Sequence, residues 1–164
     1  MHIRLHAIGR NMPKWVDEAC DQYSVRLPRE FKFRTNEYPQ ARSQSGSSNR
    51  EQAKSDVSAA VASEGEKLLD AIGKSDYVVA LDVRGKSLST EDLADTMQQW
   101  QLDGRDVALL VGGPDGLSPA VIQRADFRWS LSDLTLPHPL VRVVLLEQLY
   151  RAHSILINHP YHRE

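Results

Sequence analysis

Val107-Ala108-Leu109-Leu110-Val111-Gly112-Gly113-Pro114-Asp115-Gly116-Leu117-Ser118-Pro119 is the stretch that decides the fold. A strand that is apolar from Val107 to Val111 has no face to offer to water, so it belongs inside a sheet covered on both sides. It runs straight into Gly112 and Gly113, and Ser118-Pro119 then opens a short helix. Working outward, Tyr77 to Leu81 is a second short buried strand, and Trp129 to Leu131 is a third. His2 to Ile8 alternates polar and apolar residues up to Gly9, and Phe31 to Tyr38 reads as a more exposed strand. Helices fall between these strands. Trp15 to Leu27 carries apolar residues at helical spacing, with Asn11 as N-cap, Pro13 in the first turn and Pro28 as the stop. Glu51 to Ile72 ends at Gly73, and a helix capped by Ser89 or Thr90 runs to about Leu102 before Gly104. A final helix starts at Pro139 or Leu140 and reaches about Ile157. This alternation predicts an α/β fold, a mainly parallel sheet with helices on both faces. Neither an internal repeat nor a linker is visible, so residues 1–164 read as a single domain.

The totals exclude some classes and leave others open. Hydrophobic residues make up 41% and charged residues 26% of the 164, ordinary for a globular protein with a real core. No apolar run approaches the ~20 residues that cross a bilayer, and the N-terminus lacks the pattern of a signal peptide. Cys20 is the only cysteine, which rules out an intrachain disulfide and predicts a cytoplasmic protein. The formal net charge of −2 does not advertise nucleic-acid binding, but its distribution is uneven. Residues 1–54 hold ten Lys/Arg against six Asp/Glu, whereas residues 55–140 hold seven against fourteen. One basic face set against phosphate fits this pattern, and so does ordinary surface variation.

In open α/β sheets ligands sit beyond the carboxyl ends of the strands. Three loops that would lie there have unusual compositions. The first follows Leu81 and contains Asp82, Arg84 and Gly85. The second is the glycine turn from Gly112 to Pro119, where glycine lets a ligand approach the backbone closely. It has neither the GK[ST] ending of a phosphate loop nor the spacing of a dinucleotide fingerprint, so a phosphate-gripping enzyme is disfavoured. A plain tight turn would account for it equally well. The third loop, Leu131 to Pro139, is apolar yet full of helix breakers. Buried irregular backbone needs partners for its N–H and C=O groups, and an adenine ring would supply them. A proline-pinned crossover without a ligand is the competing reading.

The last helix is apolar around most of its circumference, too wide for one core-facing stripe, so one side should meet the sheet and another a second subunit. Glu147 and Arg151 stand one turn apart in the order that favours an ion pair. Arg142 lies at the helix start, where its charge opposes the dipole; a functional role or a distant carboxylate would each explain it. Beyond the helix, Asn158-His159-Pro160-Tyr161-His162-Arg163-Glu164 gathers donors and acid–base groups. His159 and His162 lack an acidic or cysteine partner at ligand spacing, so no metal site is expected.

At three places these residues match a known family. Leu109 to Leu117, then Leu131-Ser132 with Leu134 to Arg142, and Leu149 to Ala152 ahead of Asn158 to His162 resemble the ribosomal RNA large subunit methyltransferase H family, of the SPOUT class. The similarity runs nearly end to end and includes Met12-Pro13, Trp15 and Gly65-Glu66. The stretch 41–54 is longer and richer in Ser and Gln than the family pattern, and Asp115 stands where Glu is common. The resemblance implies S-adenosylmethionine as methyl donor and N3 of a pseudouridine in 23S ribosomal RNA as acceptor. It also implies a C-terminal trefoil knot and a homodimer. The cofactor pocket would fall on Leu81, Gly112, Leu131, Ser132, Asp133, Leu134, Thr135 and Leu136.

N3 of a pseudouridine is a weak acid, so a base or a cation stabilising the ring anion is needed. His138 or His162 is expected to assist deprotonation, with Arg142 and Arg163 stabilising the anion or holding phosphate, and Tyr161 stacking on the flipped base. A chain of net charge −2 is a poor grip for naked RNA, which points to the assembled ribosome as partner. A ribosome-associated binding protein without catalysis is the alternative; it would keep the basic N-terminal third and need no cofactor loops.

Overall fold

The computed structural model describes residues 1–41 and 50–162. Five strands form one sheet in the order β2-β1-β4-β3-β5: β1 Ile3–Ile8, β2 Arg34–Tyr38, β3 Tyr77–Ser87, β4 Val107–Val111 and β5 Phe127–Ser130. Every pairing is parallel, as the apolar inner strands require. The helices are α1 Lys14–Ser24, α2 Arg50–Ala71, α3 Thr90–Asp103, α4 Pro119–Arg124 and α5 His138–Leu156.

The central strand β4 shows why its sequence is apolar throughout. Val107, Leu109 and Val111 enter a core with Leu93 and Met97 of α3 and Leu145, Leu146 and Leu149 of α5. Ala108 and Leu110 face the other way, into a core closed by Leu68 of α2 and Val121 of α4. Fully burying a side chain of this size stabilises by about 1.5–3 kcal/mol, so a polar residue anywhere in β4 would forfeit burial on one face or the other.

Several element boundaries differ from the sequence reading, each for a local reason. Asn11 does not cap α1; it adopts a left-handed conformation (φ 59°), and Pro13 is the N-cap, its carbonyl accepting the Val16 amide at 2.8 Å. The strand expected from Phe31 starts only at Arg34, because the buried Phe31 closes a 3-10 turn and Lys32 follows with φ 42°. Strand β3 does not stop at Leu81. Both Leu81 and Lys86 register with Trp129, so Asp82 to Gly85 bulge out and the strand resumes to Ser87. Helix α5 begins at His138 behind Pro137. The capping box of Ser89 with Asp92 and the left-handed Gly104 stop of α3 are as the sequence implies. The loop read over Pro39 to Arg50 and Arg163 of the tail fall largely or wholly outside the described residues. Among the described residues no helix is long and apolar enough to cross a membrane.

Beneath α2 the buried His6 ring stacks on Tyr38, with Nδ1 2.8 Å from the phenolic oxygen. Burial holds the His6, His138 and His153 imidazoles below their ordinary value of 6.5, so folding disfavours their charged forms. Just below that value the unfolded chain binds more protons than the folded one, and stability rises with pH there. The unfolding midpoint should therefore fall on going from about pH 7.5 to about pH 5.5. His6→Gln should flatten that slope; a slope that stays the same in the variant would contradict the assignment.

Candidate functional site

The carboxyl ends of β3, β4 and β5 open into a cleft of about 440 Å³, within the range that encloses drug-sized ligands. All three unusual loops meet there. The β3 bulge supplies Leu81, Asp82 and Arg84, the glycine turn supplies Gly112 to Leu117, and the crossover supplies Leu131 to Leu136 except Asp133.

Each loop is shaped by a requirement that its sequence meets. The β3 bulge passes so close over β5 that a Cβ on Gly85 would lie 2.7 Å from the Arg128 carbonyl and the Trp129 nitrogen, so only glycine fits. The bulge is tied down by Asp82, whose carboxylate accepts from Arg128 Nε at 3.1 Å and Nη2 at 2.5 Å, and from the Arg84 amide at 3.1 Å. Burial alone would raise the Asp82 carboxyl, but the Arg128 and Arg84 hydrogen bonds outweigh it and hold the group below its ordinary value. The glycine turn folds back on itself: the Gly116 amide donates to the Gly113 carbonyl at 2.9 Å, and Gly116 takes φ 85°. Ser118 caps α4, accepting from the Val121 amide at 3.3 Å. In the third loop the Leu134 amide donates to Ser132 Oγ at 2.9 Å, and Ser130 Oγ donates to the Ser132 carbonyl at 3.1 Å. Leu134 itself is 76% exposed at the rim.

Of the eight residues expected to hold a cofactor, seven line this cleft. Asp133 is not among the lining residues; its carboxylate accepts from Ser87 Oγ at 3.3 Å, bracing the crossover against the end of β3. Among the residues expected to act chemically, His138 lines the cleft. Its ring lies against the Gly113 backbone, while Nδ1 is buried without a hydrogen-bond partner. Burial and the Arg142 charge lower its pKa, against smaller upward pulls from the Gly113 backbone and Glu64.

Arg142 is placed elsewhere. Only 3% exposed, it pairs with the Glu37 carboxylate and donates to the Gly9 carbonyl at 2.7 Å, tying α5 to the ends of β1 and β2. Glu37 is the distant carboxylate that the position of Arg142 called for.

The tail turns back at Asn158 (φ 54°) and lies along α5. Tyr161 packs on Tyr150 with ring centroids 4.7 Å apart and donates to Glu147 Oε1 at 3.2 Å, under the Arg151 guanidinium. Burial, a hydrogen bond with Tyr23 and the Glu147 charge push the Tyr161 phenol up to about 12. His162 Nε2 lies 3.1 Å from Glu91 at the start of α3. Glu147 and Arg151 form the expected pair at 2.5 Å. Tyr161 and His162 thus sit together on the α3–α5 surface and not in the wall of their own cleft. Among the described residues no cluster of three potential metal ligands occurs. Sequence reasoning missed Arg128, whose partner Asp82 is 46 positions away. It also missed Glu64, for which the neighbouring Gly65 was the available signal.

This architecture is shared with known proteins. A family model described as "Predicted SPOUT methyltransferase" matches residues 1–162. Solved structures of methylase family proteins from Neisseria gonorrhoeae (TM-score 0.55, 16% identity, 99% of this chain and 85% of that one) and Haemophilus influenzae Rd KW20 (0.52, 11%, 99% and 70%) share the fold. The fold and the site thus define a SPOUT-class methyltransferase. Proteins named ribosomal RNA large subunit methyltransferase H are similar along their whole length. They are 50% identical in Marinomonas sp. strain MWYL1 (99% of this chain, all of that one), 51% in Hahella chejuensis strain KCTC 2396 (all of both) and 50% in Saccharophagus degradans strain 2-40 (99% and all). The chain belongs to the ribosomal RNA large subunit methyltransferase H family.

Proposed function

We propose that this chain transfers a methyl group from S-adenosylmethionine to N3 of a pseudouridine in 23S ribosomal RNA, in the cytoplasm and on the assembled ribosome. The observation that carries the reading is the convergence of three loops, unrelated in sequence, on a single cleft that also contains an imidazole held neutral. The cleft suits the donor. Leu117, Ile122 and Leu136 offer apolar surface to an adenine ring, and the irregular backbone of Leu131 to Leu136 offers hydrogen-bonding groups to its edge. Leu81, Gly112 and the run Leu131 to Leu136 would hold it, with Asp133 acting through Ser87.

When bound, the donor supplies an electrophilic methyl group on a sulfonium. The chain's own residues supply position and proton handling. His138 accepts the N3 proton on its imidazole, which its lowered pKa keeps unprotonated near neutral pH. Arg142 fixes the first turn of α5, and hence His138, against the ends of β1 and β2. Tyr161, His162 and Arg163 contact the RNA from the tail, with Tyr161 stacking on the extruded base. Because the tail does not line its own cleft, a second copy of the chain completes the site. Leu140 and Ile157, exposed at the two ends of α5, and the half-buried Val143 and Val144 are the surface for that homodimer. The whole chain acts as one domain, with its C-terminal segment threaded through the loop before it as a trefoil knot.

A labelled-methyl assay on ribosomes lacking the modification, with the product mapped to the nucleotide, tests the reading. Transfer to one pseudouridine at N3, with calorimetric binding of the donor, is the expected result. Donor binding without RNA methylation would turn the reading toward a small-molecule substrate, and absence of donor binding toward the non-catalytic alternative. Comparable rates on deproteinised RNA would remove the ribosome as the true partner.

A further inference from the structure

Helix α2 meets the glycine turn through two consecutive residues. A Cβ on Gly65 would lie 2.8 Å from Ser118 Cβ, so the helix rests directly on the N-cap of α4. One residue earlier, the buried Glu64 lays its carboxylate under Gly113, where an added Cβ would come 2.7 Å from Oε2 and 3.3 Å from Cδ. Its Oε1 accepts the Ala41 amide at 2.8 Å. A helix that only packed here would gain from an apolar residue of the same volume, because burying a carboxylate is costly and often brings no net stability. Gly113, the residue against which Glu64 lies, is also the one whose backbone lies beside His138 in the cleft wall.

We infer that Glu64 is a positioning residue of the methyl transfer, holding the His138–Gly113 contact from below and balancing the charge that His138 gains when it takes a proton. The inference rests on the assignment of His138 as the base. Among the described residues the charged groups acting on that ring are Arg142 on α5, which disfavours the imidazolium, and Glu64 on α2, which favours it. Asp82, Arg84 and Asp115 share the cleft wall from the other two loops. With Arg142 fixed beside the ring by Glu37 and Gly9, Glu64 is the carboxylate that offsets it. This is the logic of a carboxylate orienting a histidine and stabilising its protonated form, here acting through a backbone group.

Glu64→Gln keeps an acceptor for Ala41 and removes only the charge. It should lower single-turnover methylation by about 10–100-fold at saturating donor, leave the donor affinity and the KM for ribosomes essentially unchanged, and move the acid limb of the pH–rate profile to lower pH. In histidine NMR of the unliganded protein, the His138 midpoint should fall in the same variant. Glu64→Asp, which retains the charge, should recover part of both. An unmoved His138 midpoint in Glu64→Gln overturns the inference whatever happens to the rate, as does a rate loss that only follows weakened donor binding. A wild-type chain that methylates no ribosomal RNA sinks the functional reading and Glu64's part in the reaction with it, an outcome separate from the NMR shift.

Discussion

Gly112→Ala should weaken binding of the methyl donor by about 100-fold, the scale of loss expected when a positioning element moves by roughly 1 Å, while leaving a folded protein. The new Cβ would sit 2.5 Å from the Gly116 carbonyl oxygen, 2.6 Å from its carbon and 3.0 Å from the Leu117 nitrogen. All three are backbone atoms, so no side chain can rotate away; the turn itself must open. Its ability to do so is limited on two sides. Gly113 is backed by the Glu64 carboxylate, and Ser118 is fixed both as the α4 cap and by α2 at Gly65. Overpacking of this kind costs about 1–3 kcal/mol, a fraction of the stability of a domain this size, so the damage should register in the cleft more than in the melt. Gly104→Ala is the control. There a Cβ meets nothing within 4 Å, but φ is +77°, so the cost is conformational, about 1 kcal/mol, with donor affinity unaffected. Calorimetry on both variants beside their thermal unfolding separates the two effects. Donor affinity in Gly112→Ala within about twofold of wild type, only ~0.4 kcal/mol, would show that the glycine turn is not part of the binding wall.

The contrast between these two glycines shows what the sequence discloses and what it does not. Gly104 is legible in one dimension, because a glycine after a run of helical residues is a stop whatever surrounds it. So were the apolar β4 strand, the Ser89 and Ser118 caps and the composition of the three loops, since burial, capping and turn formation act between near neighbours. Gly85 and Gly65 are different. Their side chains are excluded by β5 and by Ser118, tens of residues away in the chain, and nothing in their own neighbourhoods says so. The same holds for the bulge that prolongs β3 past Leu81: its register is set by Trp129, and a reading confined to the local pattern stops the strand where the apolar run stops. Individual roles within the site depend on such distant pairs. The sequence placed His138, Arg142, Tyr161 and His162 in one functional group because they are dense in the last part of the chain. Folding divides them between the cleft wall, a buried ion pair and the α3–α5 surface.

Arg142 carries the second large effect, and here the expected loss is stability. Its guanidinium is nearly inaccessible at the N-terminal end of α5, where the helix dipole disfavours a cation. It is held by the Glu37 carboxylate and the Gly9 carbonyl, the latter at the glycine (φ +106°) where β1 turns away. Removing one member of a buried pair costs about 3–5 kcal/mol when the survivor is left in a dry site. The two members differ in that respect. The Glu37 side chain is 34% exposed, so Arg142→Met lets the carboxylate rehydrate and should cost nearer 2 kcal/mol, well below the fully buried figure. Glu37→Ala strands a cation with only carbonyls for company and should cost about 3 kcal/mol or more. The double variant should be less damaging than the sum of the two singles, with a coupling of about 1–3 kcal/mol, measured from denaturant midpoints. Both single variants should also slow methylation, because Val141 and His138 in the same helical turn line the cleft and lose their anchor. If Arg142→Met melts like the wild type yet loses methylation a hundredfold, the guanidinium does not serve to hold α5; it leaves Glu37 during the reaction to meet the RNA, and the ion pair describes only the resting protein.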